Sequence, residues 1–167
     1  MNAMETSPAR ADLIVERTYE ARVEEIWDLW TTRKGFESWW GPIGFRVQVH
    51  AIEPRVGGAL RYSMIADAPE MIAEMKRQGQ PVSHETHGTF TVVEAGHRLA
   101  IVHVIDFLPG VPAYDNTMTV ELFAEPERVR MVVTLSEMHD ETFTGMQREG
   151  FTSQLSKLDR RFGLGVR

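Results

Sequence analysis

The chain has 167 residues, a net charge of −6 at pH 7 and no cysteine. A chain of this length fits one domain that buries roughly 70% of its unfolded surface, so its core needs no disulfide or metal. The acidic balance argues against a nucleic-acid partner. The lack of cysteine excludes disulfides, thiolate metal sites and a cysteine nucleophile.

Residues 1–11 are mostly small and polar, which predicts a flexible N-terminus ahead of one domain over residues 12–163. They lack the apolar core of a signal peptide. No run of the chain reaches the roughly 20 apolar residues of a membrane span. We therefore expect a cytoplasmic protein with no membrane insertion.

The first elements are a strand and two short helices. Residues 13–19 mix β-branched and aromatic types, which predicts the strand. Apolar side chains then recur at the i, i+3, i+4 and i+7 spacing of one helix face, at Val23, Ile26, Trp27 and Trp30. Residues 34–38 predict a second helical turn. The segment Trp39-Trp40-Gly41-Pro42 ends it, because proline lacks an N–H and glycine favours irregular backbone.

Two strands and an inserted helix come next. Residues 45–51 alternate apolar and polar side chains, and Leu60, Tyr62 and Met64 share one face of the following strand. Pro69 then favours a helix start, and the helical spacing of the apolar residues that follow predicts a helical insert at about 68–80.

The rest of the chain predicts a meander of antiparallel strands and a long helix. Residues 86–94, 99–105, 117–124 and 129–137 are rich in β-formers and bounded by turn residues. Asp140 is a candidate N-cap of a helix that reaches about residue 162. The order predicts an α+β domain in which the sheet buries one face against this last helix.

Four sequence features together resemble one superfamily. They are Trp39-Trp40-Gly41-Pro42, Gly44-Phe45, Pro54-x-x-Gly57-Gly58 and Gly150-Phe151-x-x-x-Leu155-x-x-Leu158. With the element order, they resemble the SRPBCC or START-like superfamily, and within it the branch called activator of heat-shock-protein-90 ATPase homologue-like. The resemblance implies a helix-grip fold, in which a curved antiparallel sheet wraps a long C-terminal helix and leaves an apolar cavity between them.

The strand and helix phases predict which side chains line such a cavity. They are Trp39, Trp40, Tyr62, Met64, Phe90, Met118, Phe143 and Met146. Methionine is flexible and polarisable, so this lining suits an apolar or aromatic ligand. The alternatives are a core filled by these side chains, and a Trp pair that only closes the end of the sheet.

Few residues suggest chemistry. His103 lies within an apolar strand, where an imidazole facing the cavity could act as an acid, a base or a hydrogen-bonding group. His84 and His87 are three apart, which places them on opposite faces of a strand, so we predict no metal site. No phosphate loop or dinucleotide fingerprint occurs, and we predict no cofactor.

The inserted helix carries Met71, Ile72 and Met75. A helix this short is marginal alone, so its apolar side must pack on something. The hypothesis is a lid over the cavity mouth, with a homodimer contact and a plain hairpin decoration as the alternatives.

Three functions stay open at this point. The leading one is a carrier, sensor or sequestering protein that binds a small apolar or aromatic molecule. The second is a polyketide-cyclase or dehydratase-like enzyme, with His103 as its first candidate group. The third is a co-chaperone-like interaction domain. The residues favour a binding protein over an enzyme.

Overall fold

The structure is a computed structural model that describes residues 12–106, 108 and 110–163. The proposed flexible N-terminus, residues 1–11, lies outside the described residues. Within them the elements are β1 Leu13–Tyr19, α1 Val23–Thr31, α2 Arg33–Glu37, β2 Phe45–Ile52, β3 Ala59–Ala66, α3 Pro69–Arg77, β4 Ser83–Glu94, β5 Arg98–Ile105, β6 Tyr114–Glu125, β7 Arg128–Leu135 and α4 Glu141–Arg161.

The strands form one seven-stranded sheet in the order β1-β7-β6-β5-β4-β3-β2. Every neighbouring pair is antiparallel. Register shifts between Val49 and Ala51 in β2 and between Phe90 and Val92 in β4 mark bulges. Bulges bend strands and increase their twist, so the sheet curls and presents a concave face to α4.

The short helix α2 packs against β2, which is an edge strand of the sheet. The Thr32 hydroxyl caps α2 by accepting the N–H of Gly35 at 3.0 Å. Glu37 then accepts the N–H of Val49 at 2.8 Å, and Arg33 donates to the carbonyl of the same residue. These side chains pair with backbone groups that an edge strand otherwise leaves open to another chain.

The long helix α4 begins where Asp140 accepts the N–H of Phe143 at 2.8 Å. Its buried apolar residues, Phe151, Leu155 and Leu158, lie from its midpoint onward. Near its end, Asp159 accepts the hydroxyl of Tyr19 at 2.7 Å. The C-terminal half of the helix is therefore the part that packs closely on the sheet.

The Trp39-Trp40-Gly41-Pro42 corner is fastened to α4. The N–H of Gly41 donates to Gln154 Oε1 at 2.9 Å, and Lys157 Nζ donates to the Gly41 carbonyl at 2.7 Å. Gly41 has φ +94°, a conformation that other residues rarely adopt. The turn therefore needs glycine, and its backbone is held to the helix on both sides.

The architecture confirms the α+β helix-grip fold predicted from the sequence, with two short helices after the first strand and a curved antiparallel sheet around the C-terminal helix. The helix predicted at about 68–80 is α3, Pro69–Arg77. Its first residue is proline. Backbone N–H groups in the first turn of a helix have no intrahelical acceptor, so the N–H that proline lacks costs no hydrogen bond there.

Gly88 in β4 is a position where only a hydrogen fits. A Cβ there would lie 2.7 Å from the Val102 carbonyl oxygen and 3.3 Å from the Cα of His103. We expect Gly88→Ala to lower the free energy of unfolding by about 1–3 kcal/mol, as overpacking does. Urea unfolding followed by circular dichroism measures it.

Gly145 in α4 provides the control, because a Cβ there meets nothing within 4 Å. Gly145→Ala should raise stability by roughly 0.5–1 kcal/mol, since alanine restricts the unfolded chain. Equal effects of the two substitutions would contradict the close approach of β4 and β5.

Candidate functional site

A cavity of about 420 Å³ lies between the concave face of the sheet and α4. Its walls come from five consecutive strands, the corner before β2, the segment after β7 and one side of the helix. The lining side chains are Trp40, Tyr62, Met64, His84, Thr86, His103, Ile105, Asn116, Met118, Leu135, Met138, Phe143, Met146, Gln147, Phe151 and Gln154.

The lining holds no lysine, arginine, aspartate or glutamate. Its two histidines, His84 and His103, have pKa values lowered by burial. Desolvation disfavours the charged imidazolium, so both rings are neutral at neutral pH. The cavity wall is therefore uncharged, and a buried ion in it would have no counter-charge.

A hydrogen-bonded chain of three side chains crosses one wall. Trp40 Nε1 donates to the Tyr62 hydroxyl at 3.0 Å, and that hydroxyl lies 3.3 Å from His103 Nε2. Burial raises the pKa of Tyr62, with partial compensation from the Trp40 hydrogen bond. Burial, followed by the electrostatic effect of His87, lowers the pKa of His103 to about 4.

Three lining amides supply further polar groups. Asn116 Nδ2 donates to the Ser136 carbonyl at 2.9 Å, and Gln147 Nε2 donates to the same oxygen at 3.0 Å. Gln154 is different, because its oxygen accepts the Gly41 N–H while its Nε2 is buried with no hydrogen-bond partner among the described residues.

Most of the side chains predicted for the site lie around this cavity. Trp40, Tyr62, Met64, Met118, Phe143 and Met146 are in its lining, and so is His103. Met146 is 57% exposed, so it lies at the rim. The structure thus brings together residues that are far apart in the chain on β3, β5, β6 and α4.

Two predicted lining residues lie elsewhere. Trp39 is fully buried, donates its Nε1 to the Leu29 carbonyl at 2.9 Å and packs edge-on against Trp30, so it belongs to the core beneath α1. Phe90 is also fully buried in that core. It shares a strand face with the lining residue Thr86 but lies four positions farther along β4, past the cavity.

None of the proposed lid residues lines the cavity. Met71 instead packs near the turn before β2, where a Cβ on Gly44 would lie 3.6 Å from its Cε. Ile72 and Met75 are half-buried. A lid role for α3, or a dimer contact through it, stays a prediction.

Sequence reasoning missed the polar part of the lining. Thr86 and Asn116 are polar residues in the inward phase of their strands, and Gln154 interrupts the apolar side of α4 between Phe151 and Leu155. A polar residue in an apolar phase was the available signal. Among the described residues no group of histidine, aspartate and glutamate could hold a metal ion.

A curved antiparallel sheet gripping a long helix, with an apolar cavity between them, defines the class of helix-grip domains. The chain belongs to the family described as activator of Hsp90 ATPase homolog 1-like protein, which matches residues 20–163. The match covers every helix and all strands except β1, and it is consistent with the SRPBCC superfamily.

Solved structures share this fold at low sequence identity. The AHSA1 protein of Silicibacter pomeroyi is 20% identical with a TM-score of 0.71, over 92% of this chain and 99% of that one. A protein of Arthrobacter aurescens is 21% identical with a TM-score of 0.71, over 93% and 88%. CalU16 of Micromonospora echinospora is 17% identical with a TM-score of 0.59, over 89% and 74%. No curated protein matches the chain.

No helix in the described part of the chain is both long enough and apolar enough to cross a bilayer.

The lowered pKa of His103 makes stability depend on pH. The unfolded residue binds a proton near its ordinary pKa of 6.5, whereas the folded residue does so only near 4. Between these values the unfolded chain binds more protons, so stability falls as the pH drops from about 6.5 to about 4. The loss approaches about 3 kcal/mol, at about 1.4 kcal/mol per pH unit.

We expect His103→Gln to remove this part of the pH dependence, because glutamine does not titrate. Urea unfolding of the wild type and of His103→Gln at several pH values between 4 and 7 measures this. The difference between their free energies of unfolding should change with pH. His97→Gln, at an exposed turn position, should leave the wild-type pH dependence unchanged. An unchanged slope in His103→Gln would contradict the buried, neutral imidazole.

Proposed function

We propose that the protein binds a small, neutral and mostly apolar molecule in the cavity between the sheet and α4. The observation that carries this is the cavity of about 420 Å³ with an uncharged wall built mainly from aromatic rings, methionines and aliphatic side chains, with a few neutral polar side chains among them. Small-molecule sites are typically clefts of roughly 300–1,000 Å³ with apolar walls and a few placed polar groups. A carrier, a sensor and a sequestering protein all need such a site.

The methionines suit ligands of more than one shape. Met64, Met118, Met138 and Met146 line different sides of the cavity. Their thioethers are unbranched and polarisable, so they adapt to a bound surface at small cost and make favourable contacts with aromatic rings. An aromatic or polycyclic ligand fits this wall.

The first turns of α4 offer a route for entry. Phe143 is half-buried and Met146 mostly exposed, whereas Phe151 one to two turns later is buried. A ligand can therefore enter past the first turns of α4 without unpacking the second half of the helix.

The co-chaperone-like function stays a prediction. The family description refers to an activator of the Hsp90 ATPase, and that activity belongs to the protein for which the family is described. Structural likeness at about 20% identity carries the fold and not a partner.

The neutral dye N-phenyl-1-naphthylamine tests the binding proposal, because its fluorescence rises in an apolar site. We expect saturable binding to the wild type. Thr86→Phe should weaken it at least about tenfold, because Thr86 lines the cavity and the larger ring takes up ligand space.

Thr89→Phe is the matched control, since Thr89 lies on the same strand but is exposed on the opposite face. It should bind the dye like the wild type. No saturable binding to the wild type, or equal binding to all three proteins, would contradict the proposal.

The buried pair of Tyr62 and His103 favours a second candidate, an enzyme that moves a proton on a bound ketone, as a cyclase or dehydratase must. A neutral imidazole in the cavity wall is a base at neutral pH, and a tyrosine hydroxyl can donate to a developing enolate oxygen. The two groups are 3.3 Å apart and both line the cavity.

This candidate predicts exchange of the α-hydrogens of a cyclic ketone. We expect the wild type to accelerate deuterium uptake from D₂O by 2-tetralone, followed by proton NMR, and His103→Asn to lose the acceleration while still binding the dye. Equal uptake with both proteins would leave binding as the only supported function.

A further inference from the structure

We infer that the ligand of this cavity carries an uncharged carbonyl-type oxygen that accepts a hydrogen bond from Gln154 Nε2. The inference rests on the proposed binding function and adds the polar chemistry of the ligand and its orientation. The class comprises ketones, quinones, lactones and esters attached to an apolar frame.

The orientation of the Gln154 amide is fixed by its surroundings. Its Oε1 accepts the N–H of Gly41 at 2.9 Å, and a backbone N–H can only donate. Rotating the amide by half a turn would place the NH₂ group against that N–H, donor against donor. Gly41 is itself held by Lys157 at its carbonyl, 2.7 Å away. The NH₂ group must therefore point away from the corner.

The NH₂ group has donor hydrogens and no acceptor. Gln154 lines the cavity and is only 4% exposed, and no protein group among the described residues accepts from its Nε2. A buried donor without a partner is costly, and one that regains a partner on binding returns that cost as affinity. The other two lining amides lack this property, because Asn116 and Gln147 both donate to the Ser136 carbonyl.

A second group of side chains supplies another donor. Trp40, Tyr62 and His103 make two hydrogen bonds among themselves. The indole, the phenol and a neutral imidazole carry one polar hydrogen each. In either tautomer of His103, two of these three hydrogens are donated within the group of Trp40, Tyr62 and His103. The third is not donated there, and it lies on Tyr62 Oη in one tautomer or on His103 Nδ1 in the other. Trp40 is also the residue that precedes Gly41, so this group adjoins the Gln154 corner.

The absence of charge in the lining selects among the acceptors. Carboxylates and phosphates would also accept from Gln154, but burying them beside neutral histidines and without a cation is expensive. A carbonyl oxygen accepts the same hydrogen bonds at no such cost. The combination of donor hydrogens and an uncharged wall therefore specifies a neutral acceptor.

Fluorenone and fluorene are a matched pair of probes, because they share a rigid tricyclic frame and differ in a carbonyl against a methylene group. Equilibrium dialysis measures the affinity of each. For the wild type we expect fluorenone to bind about tenfold more tightly, the ratio that one hydrogen bond to a buried donor provides.

Gln154→Met should reduce the ratio to about one while fluorene binding is retained, because methionine keeps the length of the side chain without its amide. Gln48→Met is the control. Its side chain is exposed on β2 and does not line the cavity, so the ratio should stay near that of the wild type. Circular dichroism on both variants checks folding.

The outcomes separate this inference from the function on which it rests. Binding of neither probe to the wild type would overturn the proposed function and the inference with it. Equal binding of both probes would overturn the inference and leave apolar binding in place. A ketone preference that survives Gln154→Met would also overturn it, because the acceptor would then meet a different donor. A wild-type ratio near one overturns the inference even if Gln154→Met does not fold.

Discussion

The hydrogen bonds between the Gly41 backbone and α4 are the constraint on which the arrangement depends. Gln154 and Lys157 hold the two polar groups of Gly41, and the apolar residues Phe151 and Leu155 are buried on the sheet beside them. Close packing is thus confined to the second half of the helix. The first half of α4 lies across the concave face of the sheet without packing closely on it. The cavity is the space between them.

The same fastening determines the polarity of the cavity. Because Gln154 uses its oxygen to hold the corner, the polar group that it leaves without a partner among the described residues is the amide nitrogen, a donor. The neighbouring Trp40 turns its indole N–H to Tyr62, which in turn meets a neutral His103. Elements that stabilise the fold therefore also give the site its surplus of donor hydrogens, with no charge among the lining side chains.

The order of strands and helices was predictable from periodicity and from turn residues that act locally, whereas the helix-grip arrangement was an expectation from the family resemblance. The strand phases also placed Tyr62, Met64 and Met118 toward the helix, where they line the cavity. Periodicity gives the face of a residue but not its distance along the sheet, which is why Phe90 was wrongly expected in the lining. The place of Gln154 in the apolar phase of α4 was visible in the sequence, but its hydrogen-bonding role could not be predicted, because it depends on Gly41, a contact 113 residues away.

Methyl NMR on the protein labelled with ¹³C at its methionine methyl groups tests the central claim most directly. Four methionines, Met64, Met118, Met138 and Met146, line the cavity, whereas Met131 is 1% exposed in the core and does not. On titration with N-phenyl-1-naphthylamine, the account predicts saturable shifts at the four lining methyls and an unmoved Met131 signal. Unmoved lining methyls at saturating dye would contradict a ligand site between the sheet and α4.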